Sequence, residues 1–196
     1  MPFSIRLLRE ADTAAVRSLW SERFGVRDAV ATSWIDAVLD AGHPARGHVA
    51  VPSGAARPVV GFGLLDVAGP AYTRDYLGLG VLNVAFPPAS RNGIFHMYCV
   101  QTAWEGRGVG TALFDRHLSV CRDANATRAV GIAWHRDRSP DSRPLFERFG
   151  FRHRALIERF YERVAPRTQC PDCGGACTCT ASLFTRPIAD AGSSSS

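Results

Sequence analysis

Three closely spaced glycines lie where a strand-like segment gives way to a helix-like one. Residues 94–100 form an apolar run, and Gly106, Gly108 and Gly110 precede a segment with helical periodicity that reaches Asp123. Glycine lets a backbone approach a ligand closely. The unpaired N–H groups of a helix's first turn, aided by the helix dipole, favour phosphate. The segment therefore predicts a pyrophosphate-binding loop between a strand and a helix.

Two well-known phosphate loops do not fit this segment. A Walker loop requires a lysine, and the chain contains none. A dinucleotide fingerprint would need a glycine where Leu113 stands. What remains, Glu105 to Gly110 after Val100, resembles the acyl-CoA-binding motif of the GNAT N-acetyltransferases, Gln/Arg-x-x-Gly-x-Gly/Ala. Glu105 is the departure, because an acidic side chain beside a pyrophosphate is unfavourable unless it points away.

A second segment supports the same resemblance. Residues 139–151 are similar to the family's Asn-x-x-Ala-x-x-x-Tyr-x-x-x-Gly-Phe piece, with Ser139 in place of Asn and Phe146 in place of Tyr. The resemblance implies an α/β (α+β) fold: a mixed, mostly antiparallel central sheet flanked by helices. It also implies one parallel strand–helix–strand crossover at the CoA site. We expect it to cover roughly residues 3–161.

The resemblance implies acetyl-CoA as cosubstrate and assigns its contacts residue by residue. A backbone amide within residues 98–100 would stabilise the oxyanion of the reacting thioester. Ser139 could bond the pantetheine arm or simply cap a helix. The expected contacts are Tyr98, Cys99, Val100, Glu105, Gly106, Arg107, Gly108, Val109, Gly110, Thr111, Ser139 and Phe146.

Attack of an amine on a thioester needs a base for the ammonium and an acid for the departing sulfur. Alternation along a strand places His96 and Tyr98 on one face and Met97 and Cys99 on the other. Some members of the GNAT family carry a Glu or His base on this face of this strand, so the resemblance makes His96 the candidate base, acting directly or through water. A core histidine without a chemical role is the alternative. A phenyl ring at Phe146 cannot donate a proton. Tyr98 or solvent must then act as the acid, or the enzyme is slow or inactive.

Four of the six cysteines fall within ten residues: Cys170, Cys173, Cys177 and Cys179. The sequence Cys-Pro-x-Cys-Gly resembles the knuckle turn of rubredoxins and zinc ribbons. Four sulfurs could surround one tetrahedral ion, most simply a structural Zn²⁺. A disulfide pair and free thiols in a loop are the alternatives. His135, just after a strand, is kept as a weak candidate for the CoA site.

Composition bounds the remaining expectations. A chain of 196 residues, 46% hydrophobic, can bury one good core. We therefore expect a single acetyltransferase domain over residues 1–188, with the cysteine-rich loop 166–179 between its last two strands and a disordered tail, 189–196. A net charge of +5 without a dense basic run suits an anionic cofactor, and nucleic acid is not an expected partner. No apolar run suggests a membrane span or a signal, so we expect a cytoplasmic protein whose oligomeric state is open.

The remaining chain predicts the elements that hold these residues. Strands are expected at 3–8, 47–51, 59–67, 94–100, 129–134, 155–161 and 180–188, and helices at 33–41, after Asp12, after Gly108 and around Pro144. Asp12 is expected to cap the first helix and Gly25 to end it. Residues 69–93 suggest an extended strand and a loop beside the acceptor.

Three functions are compatible with these features. The first is an N-acetyltransferase that moves acetyl from acetyl-CoA to a primary amine by direct attack. The second is a weakly active or inactive acyl-CoA-binding module, suggested by Glu105 and Phe146. The third, more remote, is a zinc-bearing adaptor for nucleic acid or protein, suggested by the cysteines and the positive charge.

Overall fold

A seven-stranded mixed sheet forms the centre of the fold. The computed structural model describes residues 3–24, 28–54, 58–82, 84, 86–135, 142–164, 170 and 172–188, with side chains omitted for 28–31. The strands are β1 (Phe3–Leu7), β2 (Ala45–Pro52), β3 (Gly61–Ala68), β4 (Asn92–Val100), β5 (Arg128–Trp134), β6 (Arg152–Ile157) and β7 (Ala181–Pro187). The helices are α1 (Thr13–Phe24), α2 (Asp28–Leu39), α3 (Pro70–Tyr76), α4 (Leu79–Leu82), α5 (Val109–Asp123), α6 (Arg143–Arg148) and α7 (Phe160–Arg163).

The strand order in the sheet is β1-β2-β3-β4-β5-β7-β6. β1 with β2, β2 with β3, β5 with β7 and β6 with β7 are antiparallel. β4 and β5 are parallel, with Ile94 opposite Val130. A parallel pair needs a long connection, and α5 lies in the chain between these two strands. The predicted fold class, a mostly antiparallel sheet with one parallel pair, is confirmed.

The chain divides into two compact units. The first contains residues 1–66 and 96–120, and the second contains residues 67–95 and 121–196. In the first unit, apolar residues of α1 and α2 pack on β2 and β3, and Trp20 stacks on Phe62. In the second unit, aromatic rings pack together, with Phe146 stacked on Phe184. The expectation of one acetyltransferase domain over residues 1–188 stays a prediction.

The segment 69–93 was expected to hold an extended strand and a loop, and two short helices are found in place of the expected strand. Residues 70–82 form α3 and α4. Pro70 occupies the first helical position, where its missing N–H costs nothing, and the Thr73 hydroxyl donates to the Gly69 carbonyl at 2.8 Å. Tyr72 and Tyr76, four residues apart, stack on each other. These helices are too short to show a clear periodicity in the sequence.

Three expected element ends are also corrected. Asp12 does not cap α1, because it ends a 3₁₀ helix and its carboxylate accepts hydrogen bonds from the Arg9 N–H and the Arg6 guanidinium. The second helix begins at Asp28, earlier than expected. β6 ends at Ile157, and a left-handed residue, Arg159 with φ +53°, starts α7 where the strand was expected to continue. Gly25 and the tail 189–196 lie outside the described residues.

The other expected strands are confirmed with small changes of bounds. So are the hairpin of β2 and β3, the helix α5, and the short helix α6, which follows Ser142 and is followed by Gly150 at φ +73°. Among the described residues, no helix has both the length and the apolar character that a membrane span requires.

Candidate active site

The glycine loop lies in the first unit, between the end of β4 and the start of α5. A 3₁₀ helix, Thr102–Trp104, follows β4, and Gly106 and Gly108 then adopt φ angles of +69° and +83°. This left-handed region favours glycine, because a side chain there crowds the backbone. A β-carbon built on either glycine would meet no atom within 4 Å. The backbone of the loop therefore faces open space.

The loop leads directly into the first turn of α5. The N–H of Ala112 donates to the Gly108 carbonyl at 2.9 Å. The N–H groups that precede it belong to the part of a helix that has no intrahelical acceptor. The helix dipole adds a partial positive charge at this end. Open space over a row of such N–H groups fits a pyrophosphate, and the donors include Val109, Gly110 and Thr111.

Glu105, the departure from the family motif, has a cationic partner. Its carboxylate forms an ion pair with the guanidinium of Arg23 on α1. The same guanidinium donates to the Val100 carbonyl through Nη2 at 2.8 Å and Nε at 3.1 Å. The negative charge of Glu105 is thereby compensated, and the end of β4 is fixed by the same side chain.

The other predicted cofactor contacts around the loop have different positions. Arg107 is exposed, with its guanidinium carbon 5.4 Å from the centre of the Trp104 ring, which holds a positive charge beside the loop. Val109 is buried in the core, and Thr111 is half-buried. Cys99 is buried, and its thiol donates to the Leu19 carbonyl at 3.5 Å.

His96 of β4 is paired with a carboxylate that the sequence did not indicate. Its Nε2 lies 2.8 Å from Oδ2 of Asp66 on β3, and the two side chains are 3% and 0% exposed. The Trp34 ring of α2 lies 4.5 Å from the imidazole, measured between ring centroids. A buried carboxylate beside an imidazole orients the ring and stabilises the imidazolium that forms when the ring takes up a proton. This arrangement suits a general base.

Tyr98 of β4 begins a chain of hydrogen-bonded polar side chains, of which His117 and His48 are buried. Its hydroxyl lies 2.5 Å from Nδ1 of His117 on α5. Nε2 of His117 lies 3.1 Å from Nδ1 of His48 on β2. The chain ends at Arg116, whose Nε donates to Nε2 of His48 at 3.4 Å.

The two histidines of this hydrogen-bonded chain, His48 and His117, are neutral near pH 7. Burial lowers the pKa of His48 to about 4, and the charge of Arg116 adds to this effect. Burial also holds the pKa of His117 well below its usual value, with smaller contributions in the same direction from the charges of His48, His96 and Arg116.

Neutrality fixes the direction of the hydrogen bonds. A guanidinium can only donate, so Nε2 of His48 accepts, and the single proton of His48 must be on Nδ1. That proton is donated to Nε2 of His117, which leaves the proton of His117 on Nδ1, facing Tyr98. The hydroxyl oxygen of Tyr98 therefore accepts, and its own proton is directed to another acceptor. We assign these tautomers from the network.

His96 and Tyr98 were expected side by side on one face of β4, and this arrangement is not observed. His96 contacts Asp66 and Trp34, whereas Tyr98 contacts His117 and Phe114. Met97 packs against the same core cluster as Trp34, and Cys99 belongs to that cluster. The strict alternation of β4 side chains between the two faces of the sheet is therefore interrupted between His96 and Met97.

Other predicted site residues lie in the second unit or outside the described residues. Phe146 is 3% exposed, stacked on Phe184 and in edge contact with Phe151, so it has a packing role in this core. Nε2 of His135 lies 2.8 Å from the Ser182 hydroxyl. Ser139 lies outside the described residues. Cofactor contacts by these three residues stay predictions.

The structure brings the four clustered cysteines together in the second unit. Their sulfur atoms all lie within 4.8 Å of one another. Cys170 and Cys177 are buried, Cys179 is half-buried and Cys173 is exposed. A hydrogen bond from the Thr178 backbone, with a smaller contribution from the Cys179 thiol, lowers the pKa of Cys173 to about 7. Burial raises the pKa of Cys177 and that of Cys179.

Comparison with known proteins identifies the family. The model of the acetyltransferase (GNAT) family matches residues 13–151, which include β4, the glycine loop and α5. The chain belongs to this family. A comparison with curated proteins finds no match.

Solved structures of low sequence identity share the fold. Arabidopsis thaliana NAA60 in complex with acetyl-CoA is 13% identical, with a TM-score of 0.70 over 95% of this chain and 99% of that one. The ribosomal-protein-S18-alanine N-acetyltransferase of Escherichia coli is 15% identical, with a TM-score of 0.64 over 100% and 99%. Ard1 from Thermoplasma volcanium is 16% identical, with a TM-score of 0.63 over 97% and 100%.

Five residues of the site were missed at the level of sequence: Arg23, His48, Asp66, Arg116 and His117. Of these, His117 carried a weak signal, because a histidine stood on or beside the apolar stripe of its predicted helix. The others lie far from their partners in the sequence. For example, 30 residues separate Asp66 from His96, and 82 residues separate Arg23 from Glu105. A single sequence does not indicate such pairs.

Proposed function

We propose that this GNAT-family protein transfers acetyl from acetyl-CoA to a primary amine of an unidentified acceptor by direct attack. The observation that carries the proposal is the open glycine loop. Gly106 and Gly108 hold left-handed backbone with no atom over them, at the N-terminus of α5 and in the same unit as His96 and Tyr98. Family membership supports acetyl transfer in general, and the amine acceptor and the residue roles are our proposal.

The backbone N–H groups from Gly106 to Thr111 would hold the pyrophosphate of acetyl-CoA, with Arg107 as a nearby cation. Acetyl-CoA supplies the activated thioester carbonyl. Arg23 makes this arrangement compatible with Glu105, because it neutralises the carboxylate that would otherwise repel the phosphates.

His96 is the proposed base. Its imidazole accepts the proton of the attacking amine, directly or through water, and Asp66 at 2.8 Å stabilises the resulting imidazolium. Because Asp66 is fully buried, its carboxylate interacts with His96 in surroundings where electrostatic interactions are stronger than in water.

The oxyanion is assigned to a backbone N–H within residues 98–100. Two contacts support a fixed backbone there. The Cys99 thiol donates to the Leu19 carbonyl, and the Val100 carbonyl accepts from Arg23. These contacts hold the end of β4 against α1, so the donor would be positioned before substrate arrives.

Tyr98 is the proposed acid for the departing sulfur. The phenol oxygen accepts from Nδ1 of His117, so the tyrosine proton can be given to the thiolate, and His117 then stabilises the phenolate. Every hydrogen bond from Arg116 through His48 and His117 points toward Tyr98, so the phenol oxygen keeps a hydrogen-bond donor after it gives up its proton. Tyr98, held by this hydrogen-bonded chain, would donate the proton that the phenyl ring of Phe146 cannot donate.

The second candidate function, an acyl-CoA-binding module with little turnover, is supported by Phe146. The side chain at this position is part of a packed aromatic core, and it carries no proton donor. The two candidates differ in turnover and agree in cofactor binding.

The test combines cofactor binding with turnover. Acetyl-CoA should raise the unfolding temperature, and mass spectrometry should detect an acetylated product from a panel of small amines, amino acids and peptides with free N-termini. The protein's own thiols make a thiol reagent unsuitable for detecting released CoA. With an accepted amine, His96→Ala and Tyr98→Phe should each lower kcat by about 10²- to 10⁴-fold with little change in acetyl-CoA affinity.

Asp66→Asn and His117→Gln test two residues that position the proposed base, His96, and the proposed acid, Tyr98, without exchanging a proton with substrate themselves. Both substitutions should lower kcat, and each should lower it less than the substitution of its partner, His96 or Tyr98, does. His153→Ala, an exposed histidine in the second unit, is the control and should leave kcat unchanged. Acetyl-CoA binding without any acetylated amine would favour the binding module, and unchanged kcat in His96→Ala would remove its assignment as base.

A further inference from the structure

Four cysteine sulfurs converge in the segment before β7, in the second unit. The sulfurs of Cys170 and Cys179 are 3.8 Å apart, those of Cys173 and Cys179 are 3.3 Å apart, and all four lie within 4.8 Å of one another. A tetrahedral zinc site with Zn–S bonds of about 2.3 Å has sulfur–sulfur edges of about 3.8 Å. The observed spacing is close to that of a tetrathiolate site and longer than a disulfide bond.

The backbone around the first two cysteines is already folded into a metal-knuckle turn. The N–H of Gly174 donates to the Cys170 carbonyl at 2.9 Å, and the N–H of Cys170 donates to the Gly175 carbonyl at 2.8 Å. Gly174, directly after Cys173, has φ +71°, where a side chain would be strained. These features hold the two thiols of the turn on the same side, toward Cys177 and Cys179. Pro171 lies outside the described residues.

We propose that Cys170, Cys173, Cys177 and Cys179 bind one structural Zn²⁺ ion in the second unit of this protein. Four soft sulfur ligands select zinc or iron among the common metals, and zinc accepts tetrahedral sulfur coordination without a redox role. Four thiolates fill the tetrahedral coordination, so no position remains for a substrate or a catalytic water. The inference is independent of acetyl transfer.

The ion would anchor the start of β7 to neighbouring elements. The Cys179 carbonyl accepts from the Phe160 N–H of α7 at 3.2 Å, and the adjoining Thr180 carbonyl accepts from the His135 N–H, at the end of β5, at 3.1 Å. Cys177 and Cys179 thus connect the turn of Cys170 and Cys173 to two hydrogen bonds that position β7. Zinc would restrict a segment that has short turns and two consecutive glycines in place of a helix or strand.

Metal content is the first measurement. Protein purified without a metal-affinity column should contain about one zinc per chain by elemental analysis. Cys173→Ser should lose at least nine-tenths of this zinc and keep its circular dichroism spectrum, because Cys173 is exposed and its replacement is isosteric. The matched control is Cys121→Ala, a cysteine of α5 outside the cluster, which should keep the full zinc content.

A cobalt titration gives the second, independent measurement. The reduced, metal-free protein should bind one Co²⁺ with the intense visible absorption of a tetrahedral tetrathiolate. Cys173→Ser should lose this spectrum, and Cys121→Ala should keep it. Stoichiometric iron in place of zinc would overturn the metal assignment. A folded wild-type protein that holds no zinc and gives no tetrahedral cobalt spectrum, or a disulfide found by mass spectrometry among these cysteines, would overturn the site.

Discussion

At the scale of single residues, Glu105 places a negative charge at the edge of a loop that we propose binds a pyrophosphate. Arg23 compensates this charge and also donates two hydrogen bonds to the Val100 carbonyl. The ion pair thus has two effects: it reduces repulsion of the ligand, and it fixes the strand end that precedes the loop. The Glu105 carboxylate nonetheless neutralises the Arg23 guanidinium, which could otherwise attract a phosphate.

Glu105→Gln should therefore tighten acetyl-CoA binding, by about two- to tenfold at low salt. The substitution removes a negative charge beside the loop and leaves Arg23 with an uncompensated positive charge, while its hydrogen bonds to Val100 are kept. The gain should shrink as salt is added, because the loop is exposed and its charges are screened. Isothermal titration at two salt concentrations measures the effect.

The control for this prediction is Glu147→Gln, the same charge change on α6 in the second unit. It should leave the dissociation constant for acetyl-CoA within about twofold of the unchanged protein, because Glu147 is exposed and is not part of the glycine loop. Weaker binding by Glu105→Gln would mean that the carboxylate, through Arg23, holds the loop in its binding geometry.

The site residues that lie within one motif could be predicted from the sequence, and the residues that contact them could not. The loop, His96 and Tyr98 could be named because glycine spacing and strand alternation are local. Asp66 and His117 could not, because their contacts with His96 and Tyr98 depend on which strands and helices become neighbours. Alternation also failed between His96 and Met97, where a local irregularity changes the partners of the side chains.

At the scale of elements, β3 controls how closely α5 approaches the sheet. A β-carbon on Gly61 would lie 2.8 Å from Cγ1 of Val109, and one on Gly63 would lie 2.8 Å from Cε1 of Tyr98 and 3.0 Å from Cε1 of His117. Two glycines at alternate positions leave room for the start of α5 and for the Tyr98–His117 pair. The hydrogen-bonded chain that ends at Tyr98 therefore depends on β3 having no side chain at residue 63.

Gly63→Ala should displace the Tyr98 ring, because the new methyl group would crowd both this half-buried ring and the fully buried His117 ring. We expect a loss of about 1–3 kcal/mol in the free energy of unfolding, as for other overpacked cores, and a fall in kcat similar to that of Tyr98→Phe. Chemical denaturation and product formation measure the two effects.

Gly80→Ala in α4 is the matched substitution, since a β-carbon there meets nothing within 4 Å. It should leave kcat unchanged and should not lower stability. Full activity in Gly63→Ala would show that the position of the Tyr98 ring does not matter for turnover, and Tyr98 would lose its assignment as acid.

Elements with strong periodicity were predicted well, and short ones were not. The strands, α5 and the parallel pair of β4 and β5 follow from alternation, helical spacing and element order. α3 and α4 have seven and four residues, so a pattern of 3.6 residues per turn barely repeats within them. The start of α3 depends on Gly69 and Pro70, and in the sequence this pair also indicates a turn.

At the scale of the whole molecule, the protein buries two histidines as neutral rings inside a chain with a net charge of +5. His48 and His117 are hydrogen-bonded to each other, and Tyr98, Arg116 and the more distant His96 surround them. Protonation of either ring is unfavourable because it would place a charge in the buried core.

This burial makes stability depend on pH. Each histidine has a folded-state pKa below its unfolded value of about 6.5, so between that value and its folded-state pKa the unfolded chain binds more protons. The free energy of unfolding should therefore fall on acidification from pH 7 to pH 5, by about 2 kcal/mol from His48 and by a further amount from His117. Asp12, whose pKa Arg6 lowers, contributes stability that is lost only at lower pH, as its carboxylate is protonated.

His48→Gln should remove the part of this pH dependence that belongs to His48, about 2 kcal/mol between pH 7 and pH 5, and His153→Gln, an exposed histidine, should keep the full dependence. The comparison is of slopes, obtained from urea unfolding at several pH values between 5 and 7, because the substitution of a buried ring lowers stability at every pH. Loss of a metal from four thiolates on acidification would affect both variants equally and cancels in the comparison. Equal slopes in His48→Gln and the unchanged protein would mean that His48 takes up a proton as readily in the folded protein as in the unfolded chain. The hydrogen bond from Arg116 to Nε2 of His48, which requires a neutral ring, would then be lost over this pH range.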